Sequence, residues 1–509
     1  MKKILIFCAF LAALLLFTVG ANAEDITSSA DFYPADSKIC DGDERTRLSY
    51  LDGDTLRISS DIPIASVYVK FDRIPKSWTL MANGSRISCG QNGFLHEYID
   101  VADSVGTAKE VTLVFDSGAE ICDVFVFSAG ELPEWVQCWR TADGDADLLF
   151  LPTHADDDHL FFLGVLPYYA GELEYEVQVV YFVNHWNDRR RTHEMLNGLW
   201  TVGVRRYPVM GELPDAWDGT SSTCEYAYSV AEKNGLSRDA LIEFQVEMLR
   251  RFRPLVVIGH DINGEYGHPQ HMINTDTLIA ALTLAADASY CPDTVAKYGA
   301  WDVPKTYLHL YGENKITMNW DIPLPRFGGM TAYEVSTLGY ACHLSQQYTW
   351  FTKWLKGSGD SYTSATQIKS YKPTEYGLYR TTVGYDTVGG DFFENLTVRS
   401  QLPLDTDTET EPVTEPETEP VTYPETEPVT EPETKTETET ITDTDTDTDT
   451  DTDTDTDTDT ISDDTSLIPP ETDVLGSTVS KSTIFIIVLA AFAAVMITLT
   501  VVLAKKENK

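Results

Sequence analysis

The chain has 509 residues, with 80 acidic against 37 basic side chains and a formal net charge of −43. That length exceeds one ordinary domain, and the absence of a basic patch in the folded part excludes nucleic acid as an expected partner. More than half of the negative charge falls in residues 401–480, so the acidity describes that segment and says little about the ligand of the rest.

Lys2 and Lys3 precede an apolar run from Ile4 to Val19, and Ala21-Asn22-Ala23 stands before Glu24. This is the pattern of a secretory signal, so residues 1–23 are expected to be removed and the mature chain to begin near Glu24. Cys8 would leave with the signal. Cys40, Cys89, Cys122, Cys138, Cys224, Cys291 and Cys342 remain, an odd set that leaves at least one unpaired. With no Cys-x-x-Cys among them, a thiolate metal site or a redox motif is not expected.

Residues 24–134 offer short β-rich runs, such as Ser66 to Phe71, Val111 to Phe115 and Ile121 to Phe127. Turn residues such as Asn83-Gly84 and Asp116-Ser117-Gly118 divide them. The rhythm predicts an all-β sandwich without helices, a possible carbohydrate-binding module.

From 135 to 400 the pattern changes to strands alternating with amphipathic helices. Strands are expected at Asp147 to Leu151, Tyr175 to Phe182 and Leu255 to Ile258. Helices are expected near Arg190 to Val202, near Arg238 to Arg251 and from about His271. Such alternation predicts a Rossmann-like three-layer α/β domain with a mostly parallel sheet, whose ligands bind beyond the carboxyl ends of the strands.

Residues 401–480 are Thr, Asp, Glu and Pro in short repeats, a composition that cannot form a core and is expected to be an extended, disordered stalk. Ile484 to Ala504 is uncharged, apolar and long enough to span a bilayer. Lys505, Lys506 and Lys509 follow it, which assigns 505–509 to a cytoplasmic tail and everything before the span to the outside. A single-pass cell-surface protein is therefore expected, anchored in the membrane by its C-terminal helix.

Two polar clusters each follow a predicted strand. The first is Thr153-His154-Ala155-Asp156-Asp157-Asp158-His159; the second is Gly259-His260-Asp261 with Glu265-Tyr266-Gly267-His268-Pro269-Gln270-His271. Neighbouring parallel strands would bring both to one rim. A hydrolytic zinc site takes three protein ligands and leaves a position for water, whose pKa the metal lowers toward about 7. One His and one carboxylate from the first loop and one His from the second would meet that need, and of Asp156 and Asp157 one can bind metal while the other serves as base.

These clusters resemble the paired motifs of the PIG-L, or LmbE-like, zinc de-N-acetylases, which read His-Pro-Asp-Asp-Glu and His-Pro-Asp-His. The similarity covers roughly residues 145 to 350. It implies that His154, Asp157 and His271 hold Zn2+ and that Asp156 is the general base. It further implies that His268 assists the leaving group as a cation, that Tyr266 supports the oxyanion, and that Arg191, in an Arg-x-x-Glu pattern with Glu194, contacts substrate. His343, in Cys342-His343-Leu344-Ser345-Gln346, resembles a late family segment but is read as structural. Ala155 and Asp158 depart from the motif, which implies a looser loop and a carboxylate one methylene shorter. The activity implied is removal of acetyl from an N-acetylated amino sugar, with cell-wall and surface glycans among the candidate substrates; the competing reading is a surface carbohydrate-binding or adhesion protein with a degenerate deacetylase domain.

Overall fold

The computed structural model describes residues 22–401, apart from 187, 218, 348 and 349. The expected signal run, stalk, membrane span and tail therefore lie outside the described residues, apart from Asn22, Ala23 and Gln401. No helix among the described residues is long and apolar enough to cross a membrane.

The first part holds strands β1 (Asp31–Tyr33), β2 (Leu48–Tyr50), β3 (Thr55–Ile64), β4 (Ser66–Phe71), β5 (Trp78–Ala82), β6 (Ser85–Cys89), β7 (His96–Asp100), β8 (Ala108–Val114) and β9 (Ala119–Phe127). They form two antiparallel sheets, ordered β1-β3-β8-β5-β6 and β2-β9-β4-β7. Alternation explains the packing. Leu56 and Ile58 of β3 are buried while Thr55 and Arg57 are exposed, and Val67, Val69 and Phe71 of β4 join them in one core. Asn83 and Gly84 both take positive φ, 52° and 76°, as a two-residue hairpin turn requires, and Ala82 faces Ser85 across it. One short helix, Val101–Val105, interrupts the expected all-β pattern, started by Asp100, whose side chain accepts the Asp103 N–H.

The second part holds β10 (Leu148–Phe150), β11 (Val177–Asn184), β12 (Val209–Pro214), β13 (Val256–Gly259), β14 (Lys305–His309), β15 (Lys315–Thr317) and β16 (Glu375–Thr381), in the sheet order β12-β11-β10-β13-β14-β16-β15. The first five strands of that order are mutually parallel, and β16 runs antiparallel to both of its neighbours. Strands β10, β13 and β14 are buried along their whole length, as parallel strands covered on both faces must be. Helix Arg238–Phe252 begins at Ser237, whose hydroxyl accepts the Ala240 N–H, and packs with helix Pro269–Ala286 over one face of the sheet in a core of Leu249, Val257, Leu278 and Leu282.

The two parts belong to one compact unit. Leu95 N–H of the sandwich donates to Tyr207 Oη at 2.9 Å, the rings of Phe94 and Tyr207 stack at 4.6 Å, His96 Nε2 lies 2.7 Å from His193 Nδ1, and Arg189 pairs with Asp72. Among the described residues all seven cysteines are free thiols.

Candidate functional site

Strands β10 and β13 are parallel neighbours, with Leu148 opposite Val256 and Phe150 opposite Ile258, so both polar clusters leave the sheet side by side at its carboxyl rim. The first loop is clamped from two directions. Val183 N–H donates to the Thr153 carbonyl at 3.1 Å, and Asn274 Nδ2 donates to Leu151 O and Thr153 Oγ1 at 3.2 and 2.9 Å. The second cluster runs into helix Pro269–Ala286. Pro269 sits where a helix has no use for an N–H, and His268 Nδ1 accepts the Gln270 N–H at 3.2 Å. His271 thereby falls in the first turn, facing the first loop.

Three donor atoms converge there. His154 Nδ1 lies 3.1 Å from His271 Nε2, and Asp157 Oδ2 lies 3.4 and 3.3 Å from those two nitrogens. Ligands about 2.0 to 2.1 Å from a tetrahedral ion stand about 3.3 Å apart, so the three residues fit a divalent metal without rearrangement. The outer nitrogens are oriented as metal-bound imidazoles require: His154 Nε2 faces Gln270 Oε1 at 3.2 Å, and His271 Nδ1 faces Glu265 Oε2 at 2.8 Å. Burial alone would raise the pKa of Asp157, but His271 and the hydrogen bonds converging on the carboxylate hold it well below the usual range. His260 also approaches Asp157, at 3.4 Å, with its Nε2 2.9 Å from the Thr153 nitrogen, and stands as a further donor beside the predicted three.

Glu265, which the sequence did not single out, organises this centre. It is fully buried and receives His260 Nδ1 at 2.7 Å and His271 Nδ1 at 2.8 Å on one oxygen, and His309 Nδ1 at 2.6 Å and Asp261 N–H at 3.2 Å on the other. Burial opposes its charge, yet His260 and these hydrogen bonds hold it well below the usual carboxylate range.

Beside the donors is a small cleft of about 120 Å3 lined by His154, Asp156, Asp157, Arg191, Tyr266 and His268, with Asp215 and Phe351. Six of the seven predicted site residues meet there, and His271 lies fully buried behind them. Asp156 is 5% exposed, and burial pushes its pKa up to about 6 against the pull of Arg191. Arg191 is held in the site: its Nη2 is 3.1 Å from Asp156 Oδ1 and its Nη1 is 2.9 Å from Asp215 Oδ2. Glu194, the acid of the Arg-x-x-Glu pattern, accepts Ser345 N–H and Oγ–H at 2.8 and 2.5 Å. Tyr266 adopts a left-handed φ of 45°, a conformation costly for a non-glycine residue and typical of functional sites. Burial, followed by the neighbouring His154 and His271, pushes the His268 pKa far down, and its Nδ1 accepts the Gln270 N–H.

Ala155 does not loosen the loop. Its N–H, which the motif proline would lack, donates to His185 Nε2 at 3.0 Å. A larger cleft of about 860 Å3 touches Trp135, Arg140, Glu176 and Arg206 near the start of β11; Arg140 and Arg206 are paired there with Glu176, and none of the predicted site residues reaches it.

No family model matches the chain. Two curated relatives are 1D-myo-inositol 2-acetamido-2-deoxy-alpha-D-glucopyranoside deacetylases. One, from Saccharopolyspora erythraea, is 44% identical over 70 residues, 14% of this chain and 24% of the relative. The other, from Geodermatophilus obscurus, is 41% identical over 69 residues, 14% of this chain and 22% of the relative. The match thus spans about a quarter of those proteins. The solved N,N'-diacetylchitobiose deacetylase from Pyrococcus horikoshii overlays loosely, at 14% identity and a TM-score of 0.33 over 46% of this chain and 83% of that one. Within that shared stretch the chain is similar to these 2-acetamido-glucopyranoside deacetylases.

Proposed function

We propose that the chain is a zinc-dependent de-N-acetylase acting on an N-acetylated amino sugar. The observation that carries this reading is the convergence of His154 Nδ1, Asp157 Oδ2 and His271 Nε2 at 3.1 to 3.4 Å beside a cleft walled by a second, buried carboxylate. When bound, zinc supplies a Lewis acid and lowers the pKa of a water it holds. Asp156 takes the proton from the attacking water on a carboxylate that Arg191 orients at 3.1 Å. Tyr266 borders the space where the acetamide oxygen gains charge, His268, whose Nδ1 accepts the Gln270 N–H, offers its Nε2–H to the same charge as a hydrogen-bond donor, and Asp156 passes the proton it has taken on to the departing amine. Phe161 and Phe351 line the same cleft and exclude water around the reacting bond. The substrate class follows the names of the short-range relatives, which act on a 2-acetamido glucoside. The signal, stalk and apolar span support placing this activity outside the cell, tethered to the membrane.

The test combines metal analysis of the purified full-length chain with acetate release from N-acetylglucosamine and its oligomers. His154→Ala, Asp157→Ala and His271→Ala are each expected to lose the catalytic metal and the activity together. A wild-type chain that holds this metal yet releases no acetate from any N-acetylated sugar would favour a binding role; three variants with undiminished metal content would refute the site.

A further inference from the structure

Three titratable side chains unused by the proposed reaction lie together in the interior. Asp158 and His159 sit on the short helix Asp157–Leu160, and His343 follows helix Ala332–Ala341. All three are 0% exposed. One donor atom from each lies within 4.8 Å of the others, and His159 Nε2 is 3.3 Å from Asp158 Oδ2. Neither oxygen of Asp158 and none of the four ring nitrogens has a hydrogen-bond partner. The Tyr181 hydroxyl interacts with Asp158 without good hydrogen-bond geometry.

Six orphaned polar atoms on neighbouring, fully buried side chains are costly and demand a partner. Backbone glycines let the two imidazole rings come together against the helices. A Cβ at Gly198, on helix Arg189–Thr201, would stand 2.9 Å from both His159 Nε2 and His343 Nε2, and a Cβ at Gly339 would stand 2.4 Å from His159 Cε1. The two Nε2 atoms therefore flank the same point of helix Arg189–Thr201, with the Asp158 carboxylate nearby. Two imidazoles and one carboxylate suit zinc or another late first-row divalent ion better than calcium or magnesium, which prefer oxygen cages.

We propose that Asp158, His159 and His343 form a second, structural divalent-metal site, with zinc its best-fitting occupant. Small side-chain rotations bring the donors from within 4.8 Å to the roughly 3.3 Å spacing of a tetrahedral ion, with water as fourth ligand. An ion there ties the short helix that begins with Asp157 to the end of helix Ala332–Ala341, packed beside the helix that carries Arg191. It holds the catalytic loop from behind and takes no part in the reaction.

Zinc content of the full-length chain, measured by elemental analysis after gel filtration, tests this independently of catalysis. The wild type is expected to hold about two ions, and His343→Gln and Asp158→Asn about one each. A His154→Ala/His271→Ala double variant is expected to keep one, with its unfolding temperature still lowered by chelator. Asp158→Asn preserves shape, so it remains informative if His343→Gln fails to fold. A wild type with a single ion, lost in the double variant, would mean that water or direct pairing satisfies the cluster and would overturn the proposal. So would two ions left unchanged by both His343→Gln and Asp158→Asn. If acetate release fails on every sugar while one ion is still lost in His343→Gln, the second site stands and the proposed activity falls.

Discussion

Glu265→Gln should weaken the catalytic metal site without touching a metal ligand. In the structure Glu265 accepts four hydrogen bonds, from His260, His271, His309 and the Asp261 N–H, two on each oxygen. Glutamine is almost the same size, but its single carbonyl oxygen can accept only one of those pairs, and its amide nitrogen must face two further N–H groups. If the amide nitrogen faces Asp261 and His309, those two donors lose their acceptor. If it faces His260 and His271, the His271 ring is pressed toward the tautomer with hydrogen on Nε2, the atom that faces the donors. Removing a partner that orients a ligand typically costs ten- to a hundredfold in metal affinity, or about 1.4 to 2.8 kcal/mol. Competition against a chromophoric chelator reads that loss directly, with acetate release as a second measure and circular dichroism as a check on folding. Unchanged affinity for the ion held by His154, Asp157 and His271 would refute the role given to Glu265.

Asp156→Asn should keep its metal and fold but lose about 10² to 10⁴ in kcat/KM, the usual worth of a positioned base; near wild-type turnover on acetylated amino sugars would move that role to another residue. Tyr207→Phe should lower stability by about 1 to 3 kcal/mol in thermal unfolding, because it leaves the buried Leu95 N–H without an acceptor. An unchanged melting temperature would show that the sandwich and the α/β part are not coupled through this bond.

Much of the frame was legible because it rests on local rules. The expected strand Ser66 to Phe71 coincides with β4, and the expected helices near Arg190 and Arg238 begin at Arg189 and Arg238. Asn83-Gly84 marked its hairpin because both positions need positive φ. The donors were legible because the two motifs end adjacent strands. What escaped depends on contacts across the sheet. Glu265 lies inside a cluster the sequence displayed, yet its partner His309 comes from β14, 44 residues on. Asp215, which shares Arg191 with Asp156, and His185, which holds Ala155, come from loops with no motif of their own. The helix within the sandwich was missed because at Val101–Val105 it is too short to show a period. The surroundings of Ala155 and Asp158 were not legible from the motif alone: the first makes a backbone hydrogen bond, and the second faces a buried histidine pair.

The proposed division of labour between Asp156 and Asp157 rests on their surroundings. Both are buried, so desolvation works against either charge. Asp157 overcomes it with the backbone N–H groups of Thr153 and His154, at 3.1 and 2.7 Å, and with imidazoles on its other side; a carboxylate so supported stays charged and suits a metal. Asp156 has mainly Arg191, with a smaller pull from His154, and Arg191 divides its guanidinium between Asp156 and Asp215. Its pKa accordingly sits up at about 6, close to where a base can both be empty and accept a proton near neutral pH. A bound divalent ion pulls that value down, and Asp215 offsets the pull by drawing off part of the arginine's charge. The hydrogen bond from Ala155 N–H to His185 fixes the backbone immediately before Asp156. Two adjacent, chemically identical side chains are thereby set in different electrostatic surroundings, which is what the proposed roles require.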